Sequence, residues 1–154
     1  MDILLKNAQI VTLNDNDDVI PEGSIGIRDN RIDFIGEGNG CIEAEYSKVI
    51  DCKGRTVMPG FVNAHNHLAM TMFRNYADDM KLMDWLFTKI FPLEDKQTDE
   101  SVYWGSLLAM VEMIKSGTTT FADMYFFMES TARAVSESGM RAVLSRGLQG
   151  ESGL

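Results

Sequence analysis

The stretch "PGFVNAHNHLAM", residues 59–70, holds both histidines of the chain, His65 and His67. It follows a Pro-Gly break, and its apolar run over residues 61–65 predicts a short β-strand. Side chains two residues apart on a strand point to the same face, so we expect the two imidazoles side by side where the strand ends. Two such imidazoles are good ligands for a divalent transition metal, although a bare His-x-His pair is more often a surface or hydrogen-bonded pair.

Residues 1–58, which precede this stretch, show the period of β-structure. Ile25 and Ile27, then Ile32 and Phe34, alternate with polar residues on either side of Asp29-Asn30, a pair typical of a two-residue hairpin turn. No helical period is present in this part. The pattern predicts a small all-β segment.

The residues that follow alternate between strand and helix patterns. Thr98 predicts the start of a helix whose apolar positions recur at helical spacing, and Gly117 predicts its end. "TTTFADMY" is typical of a strand, "ESTARAVSES" of a helix closed by Gly139, and "MRAVLSRGL" of a third strand. The fold class is therefore α/β, with parallel βα units whose active sites form at the carboxyl ends of the strands.

Composition narrows the possible classes of protein. The 154-residue chain is 45% apolar and 24% charged, as in ordinary globular proteins, and its net charge is -9. Such a charge argues against a nucleic-acid partner, and no apolar run is long enough to span a membrane. The first residues do not resemble a signal peptide, so we expect Cys41 and Cys52 to be free thiols and the location to be cytoplasmic.

The stretch "VMPGFVNAHNHLAMTMFRNYADD", together with "LMDWLFTKIFPLED", "GTTTFADMYF" and "GMRAVLSRGL", resembles the amidohydrolase superfamily. Within it, the resemblance is to the family of 5-methylthioadenosine/S-adenosylhomocysteine deaminases. The resemblance implies a metal-dependent (β/α)8 (TIM) barrel with a small β-sandwich. Residues 1–58 would supply a sandwich segment without its C-terminal strands, and residues 59–154 the first three βα units. Because such a barrel takes about 250 residues, it is incomplete in this chain.

The chemistry that the resemblance implies is hydrolytic deamination. In this family a metal lowers the pKa of a water, the resulting hydroxide attacks the adenine carbon that carries the amino group, and ammonia leaves. His65 and His67 match the metal-binding pair; we expect one divalent ion, zinc, with iron as the alternative. The carboxylate that shuttles the proton is expected on later strands, so no catalytic residue is assigned here and the 154-residue chain alone is expected to be inactive.

Three further residues correspond, by the same resemblance, to substrate-binding positions. Glu94 would bind the ribose hydroxyls, Arg146 would contact the substrate, and Trp85 would form an apolar wall. The sequence alone also permits an exposed acid in a charged turn, a structural ion pair and a buried helix tryptophan, respectively. Asp123 and Tyr125 lie near a strand end but receive no role.

The sequence is also compatible with two other functional interpretations. The full-length protein could be a different amidohydrolase, such as a guanine or cytosine deaminase or a triazine chlorohydrolase. Alternatively, the chain could be an inactive truncated fragment that serves in assembly or folding. The expected partner is a small-molecule nucleoside, with no nucleic acid and no membrane, and a homo-oligomer is left open.

Overall fold

The computed structural model describes residues 2–38 and 43–147, so Cys41 lies outside the described residues. The chain divides into two compact units, Met1–Pro59 and Gly60–Leu154. None of the helices in the described part combines the length and the apolar character that a bilayer crossing requires.

The first unit is built on one mixed sheet. β1 is the central strand, with β2 antiparallel on one side and β4 and β5 parallel on the other, while β3 pairs with β2. The strands are β1 (Ile3–Val11), β2 (Val19–Arg28), β3 (Arg31–Glu37), β4 (Lys48–Asp51) and β5 (Thr56–Val57), and a short 3-10 helix covers Glu43–Glu45. The predicted hairpin is confirmed, since Asp29 and Asn30 form the turn between β2 and β3.

A small apolar core lies on one face of this sheet. Ala8, Ile10, Ile25 and Cys52 are buried together, and Cys52 carries a free thiol, as expected. Ile32 of β3 pairs directly with Ile27 and lines the same apolar hollow as Ile25 and Ile27, so it lies on the expected face, but it remains exposed.

The second unit is a three-stranded parallel sheet in the order β6-β7-β8, with helices between consecutive strands. Its strands are β6 (Phe61–Asn63), β7 (Thr118–Tyr125) and β8 (Arg141–Arg146). Its helical segments are a 3-10 helix (Leu68–Phe73), α1 (Leu82–Trp85), a π-helical turn (Leu86–Ile90), α2 (Phe91–Glu94), α3 (Asp99–Ser116) and α4 (Met128–Ser138). The predicted alternation of strand, helix, strand, helix and strand is confirmed.

Helix α3 begins and ends at the predicted residues. The Thr98 hydroxyl accepts a hydrogen bond from the Ser101 amide (3.2 Å), and the Ser101 hydroxyl accepts one from the Thr98 amide (2.8 Å), which makes a reciprocal cap. At the other end, Gly117 adopts a left-handed conformation (φ 87°), which glycine tolerates without steric cost.

The first strand of this unit is shorter than predicted. β6 ends at Asn63, so the prediction that it runs through His65 is wrong. The Asn63 side chain accepts a hydrogen bond from the backbone amide of His65 (3.3 Å), an Asx-type bond that replaces a strand hydrogen bond. Both histidines therefore lie in the segment between β6 and the 3-10 helix.

A close approach of two helices determines where this 3-10 helix lies. A side chain at Gly105 of α3 would place its Cβ 2.9 Å from the carbonyl oxygen of Ala69, so only glycine permits the contact. The Thr71 hydroxyl donates a hydrogen bond to the Gly105 carbonyl (2.9 Å) across the same contact. Next to it, Leu68 packs in a core with Ala109, Met110, Phe121 and Ala134.

We expect Gly105→Ala to lower the free energy of unfolding by about 1 kcal/mol. Crowding against a backbone atom costs roughly 1–3 kcal/mol, which exceeds the gain of up to about 1 kcal/mol from alanine's higher helix propensity. Denaturant unfolding measures the difference, and Ser136→Ala on the exposed side of α4 is the control, with a change within about 0.5 kcal/mol. A Gly105→Ala protein as stable as the parent would contradict the close contact.

Candidate active site

The predicted site residues lie at the carboxyl edge of the parallel sheet. Tyr125 and Arg146 are the last residues of β7 and β8 and are paired across the two strands, while β6 ends at Asn63. Side chains that follow parallel strands meet at this edge, because all the strands end on the same side.

The segment that carries the two histidines is attached to β7 by three hydrogen bonds. The Met124 amide donates to the Asn66 carbonyl (3.4 Å), and His67 Nδ1 lies 2.7 Å from the Met124 carbonyl oxygen. The Leu68 amide donates to Oδ1 of Asp123 (2.8 Å). The segment thus follows β7 without being a regular strand.

The hydrogen bond of His67 determines which ring nitrogen can bind a metal. A carbonyl oxygen only accepts hydrogen bonds, so Nδ1 carries the proton and donates it. In the neutral ring, Nε2 then keeps a free lone pair, the arrangement that is usual for metal-binding histidines. His67 is half-buried, whereas His65 is exposed.

The spacing of the two imidazoles fits a shared zinc ion. Their ring centres are 5.2 Å apart and their planes are at 82°. Two imidazoles on one tetrahedral zinc would have ring centres about 5 Å apart, given Zn–N distances of roughly 2.0–2.1 Å. Within residues 2–38 and 43–147, no cluster of three or more His, Cys, Asp or Glu side chains could hold a metal, so the described part supplies two candidate ligands.

A cavity of about 550 Å³ brings His67 together with all three predicted substrate residues. Most of its wall is apolar, and four charged or titratable side chains line it, as in small-molecule sites. The lining residues are His67, Met70, Leu82, Trp85, Leu86, Ile90, Phe91, Glu94, Met124, Tyr125, Phe126, Arg146 and Gly147. His65 instead lines an adjoining hollow of about 230 Å³ together with His67 and Asp123.

Each of the three substrate candidates has a defined position on this wall. Glu94 ends α2 and is half-buried, so it is not simply an exposed acid in a turn. Trp85 ends α1 and is also half-buried. Arg146 is exposed, and no acidic side chain in the described part of the chain forms an ion pair with it. Glu94 and Arg146 also line a neighbouring cavity of about 640 Å³.

Sequence reasoning gave no role to two buried polar residues at this edge. Asp123 is 2% exposed and has one oxygen, Oδ2, without a hydrogen bond; burial raises the pKa of its carboxyl group, against the opposing effect of the Leu68 amide. Tyr125 is 4% exposed, and its hydroxyl lies near Glu94 and Gln97 but completes no hydrogen bond of ordinary geometry with a described residue. Burial, and then the nearby Glu94, raise the pKa of Tyr125. In the sequence, the feature that could have indicated a role for them is their position near the carboxyl end of a mostly apolar strand.

Comparison with curated proteins gives a direct match over almost the whole chain. The chain is 54% identical, over 147 residues, to the 5-methylthioadenosine/S-adenosylhomocysteine deaminase of Acetivibrio thermocellus. The match covers 95% of this chain and 34% of that protein. The chain thus spans about a third of the length of this relative.

Solved structures show the same architecture. An adenosine deaminase from Xanthomonas campestris with bound zinc is 31% identical, has a TM-score of 0.76, and is matched over 92% of this chain and 33% of its own. The atrazine chlorohydrolase of Arthrobacter aurescens TC1, complexed with zinc, has a TM-score of 0.87 at 21% identity, over 98% of this chain and 37% of its own. At that identity the second likeness concerns the fold alone.

The predicted fold class is confirmed by these comparisons: the chain has the mixed α/β structure of the N-terminal part of an amidohydrolase barrel. The amidohydrolase family model matches residues 56–150, which include β6, β7, β8 and every candidate site residue. This match covers more than half of the chain and includes the residues that form the site, so it identifies the family. This chain belongs to the amidohydrolase family.

Proposed function

We propose that this chain is the N-terminal part of a hydrolytic deaminase of adenosine-type nucleosides. Its substrates would be 5-methylthioadenosine or S-adenosylhomocysteine, which it would convert to inosine-type products and ammonia. The observation that carries the proposal is the single cavity in which His67, Trp85, Glu94 and Arg146 meet. Below, "full-length protein" means a polypeptide of the relatives' length with this chain as its N-terminal part.

The relatives support this choice among amidohydrolases. The Acetivibrio thermocellus relative, at 54% identity, is named for both substrates, and the 31% identical structure is an adenosine deaminase. The likeness to the chlorohydrolase, at 21% identity, concerns the fold and does not favour that reaction. We further propose residues 1–58 as a sandwich segment and residues 59–154 as three βα units of the barrel.

His65 and His67 would hold one divalent metal ion, zinc, with iron as the alternative. When bound, such an ion supplies Lewis-acid chemistry and a water acidic enough to attack the adenine ring near neutral pH. The chain itself contributes the orientation of the ligands: Met124 holds the His67 ring through Nδ1, and Asp123 holds the following turn through the Leu68 amide.

The other cavity residues would bind the nucleoside. Glu94, half-buried on one wall, can accept hydrogen bonds from both hydroxyls of a ribose. Trp85, Leu86 and Phe91 offer apolar surface to a purine ring, and Arg146, which forms no ion pair with a described residue, lines two cavities. A cytoplasmic location and the absence of a nucleic-acid partner stay predictions, and the oligomeric state stays open.

In the full-length protein, His65→Ala and His67→Ala should each lower bound metal and deaminase activity together. Removing one imidazole deletes a ligand, whereas a purely structural histidine would lower stability and leave the metal content per folded molecule intact. Elemental analysis beside a melting curve separates these cases. Stoichiometric metal in both variants would remove the two histidines from the ligand set.

Glu94→Gln in the full-length protein should lower kcat/KM for 5-methylthioadenosine at least about tenfold. A hydrogen bond from a hydroxyl to a carboxylate is worth roughly 1.5–3 kcal/mol, and glutamine places a donor where an acceptor is needed. The loss should be much smaller with the 2′,3′-dideoxy analogue. Glu100→Gln, on an exposed acid that lines none of the cavities at this edge, is the matched control and should keep kcat/KM near the parent value. Equal losses with both substrates would show that Glu94 does not bind the ribose hydroxyls and would favour a base deaminase or a chlorohydrolase.

The polypeptide of residues 1–154, purified alone with added zinc, should release no ammonia from 5-methylthioadenosine. Its two imidazoles provide only part of a catalytic zinc site, which uses at least three protein ligands. A coupled ammonia assay measures this, with the full-length protein as the positive control. Turnover by the 154-residue polypeptide would mean that its own residues complete the site.

A further inference from the structure

The hydroxyl of Tyr125 is the least explained polar group in the cavity wall. Tyr125 is 4% exposed and lines the 550 Å³ cavity, and its hydroxyl lies near Glu94 and Gln97 without completing a hydrogen bond of ordinary geometry to a described residue. A buried hydroxyl without a partner is costly, and folded proteins nearly always provide one. The hydroxyl therefore has candidate partners close by, and a small adjustment of Glu94 and Gln97 would complete its hydrogen bonds.

The ring that carries this hydroxyl cannot easily move. It packs in a core with Ala69 and Val102, and its centre lies 6.4 Å from that of the His67 ring. Its backbone is held in β7, paired with Arg146 of β8. The hydroxyl is thus presented at a fixed point of the wall, which is what a positioning group requires.

Two polar side chains near Tyr125 have complementary hydrogen-bonding capacity. Gln97 has a buried amide nitrogen without a partner, while its amide oxygen accepts from the Ser101 hydroxyl in the cap of α3. Glu94 lines the same cavity as Tyr125, and Glu94 and Gln97 both line the adjoining one. These groups can form a chain of two hydrogen bonds, in which the Gln97 amide donates to the Tyr125 oxygen and the Tyr125 hydroxyl donates to the Glu94 carboxylate.

We propose that the Tyr125 hydroxyl donates a hydrogen bond to the Glu94 carboxylate when a ribose-bearing nucleoside occupies the cavity, and that Gln97 donates to the Tyr125 oxygen. Tyr125 is then a positioning residue that acts through Glu94. This inference rests on the proposed function, because it requires Glu94 to bind the ribose diol.

The Glu94 carboxylate can accept enough hydrogen bonds for this arrangement. An ionised carboxylate has about four acceptor positions, of which a diol uses two. A third hydrogen bond from a rigid tyrosine orients the group without competing with the ribose. It also satisfies the two buried donors, the Tyr125 hydroxyl and the Gln97 amide, that complete no hydrogen bond within the described part of the chain.

The test is Tyr125→Phe in the full-length protein, which removes the hydroxyl and keeps the ring. We expect kcat/KM for 5-methylthioadenosine to fall about tenfold, mainly through a higher KM, with the zinc content unchanged. The melting temperature of the ligand-free protein should stay the same or rise, because the variant deletes an unpaired buried polar group. A tyrosine with a merely structural hydroxyl would show the reverse: a lower melting temperature and an unchanged KM.

Tyr103→Phe is the matched control. The Tyr103 hydroxyl donates to Glu137 (2.5 Å) and lines none of the three cavities at the carboxyl edge of the sheet. Its removal should leave kcat/KM unchanged.

A double-mutant cycle tests whether Tyr125 acts through Glu94. The Tyr125→Phe/Glu94→Gln protein should lose no more activity than Glu94→Gln alone, and Tyr125→Phe should have little effect with the 2′,3′-dideoxy analogue. Additive losses, or an equal loss with the analogue, would overturn the inference, as would unchanged kcat/KM in Tyr125→Phe; in each case the deaminase proposal stands. An unaltered full-length protein without nucleoside deaminase activity would overturn both.

Discussion

The hydrogen bond from His67 Nδ1 to the Met124 carbonyl is the interaction on which the candidate site depends. It joins the segment after β6 to β7, fixes the tautomer of the ring and leaves Nε2 free. Asp123 holds the same segment in place, because its buried carboxylate accepts a hydrogen bond from the Leu68 amide where the 3-10 helix begins. Burying that carboxylate costs free energy of folding, and functional sites often accept such a cost in order to position their side chains.

The opposite wall of the cavity depends on an irregular helix. Trp85 and Glu94 are nine residues apart, and at 3.6 residues per turn they would lie on opposite faces of a regular α-helix. The π-helical turn Leu86–Ile90 between them changes this register, and both side chains line the same cavity. Single π-helical turns inside α-helices occur often at functional sites. Here the turn converts one continuous segment into a wall with an aromatic ring at one end and a carboxylate at the other.

The polar groups of the site also differ in how completely they are satisfied. Buried atoms of Asn66, Gln97, Asp123 and Tyr125 lack hydrogen-bond partners, and all four residues line one of the three cavities at the carboxyl edge of the sheet. Away from this edge, the buried hydroxyls of Ser106 and Thr131 lie within hydrogen-bonding distance of each other (3.3 Å). Unsatisfied groups concentrated at one edge of a sheet are what a ligand site requires, since the ligand supplies the missing partners.

The sequence by itself determined the regular elements and the family. The Asp29-Asn30 turn, the Thr98 cap, the Gly117 and Gly139 helix ends and the strand–helix alternation all depend on local hydrogen bonding and periodicity, which neighbouring residues encode. Only the tertiary structure decided that β6 stops at Asn63 and that the following segment is held to β7 through Asn66 and His67. It also decided that Trp85 and Glu94 share a wall and that the buried Tyr125 hydroxyl lies near Glu94 and Gln97. These features arise from contacts between residues up to about sixty positions apart along the chain, and no local pattern records them.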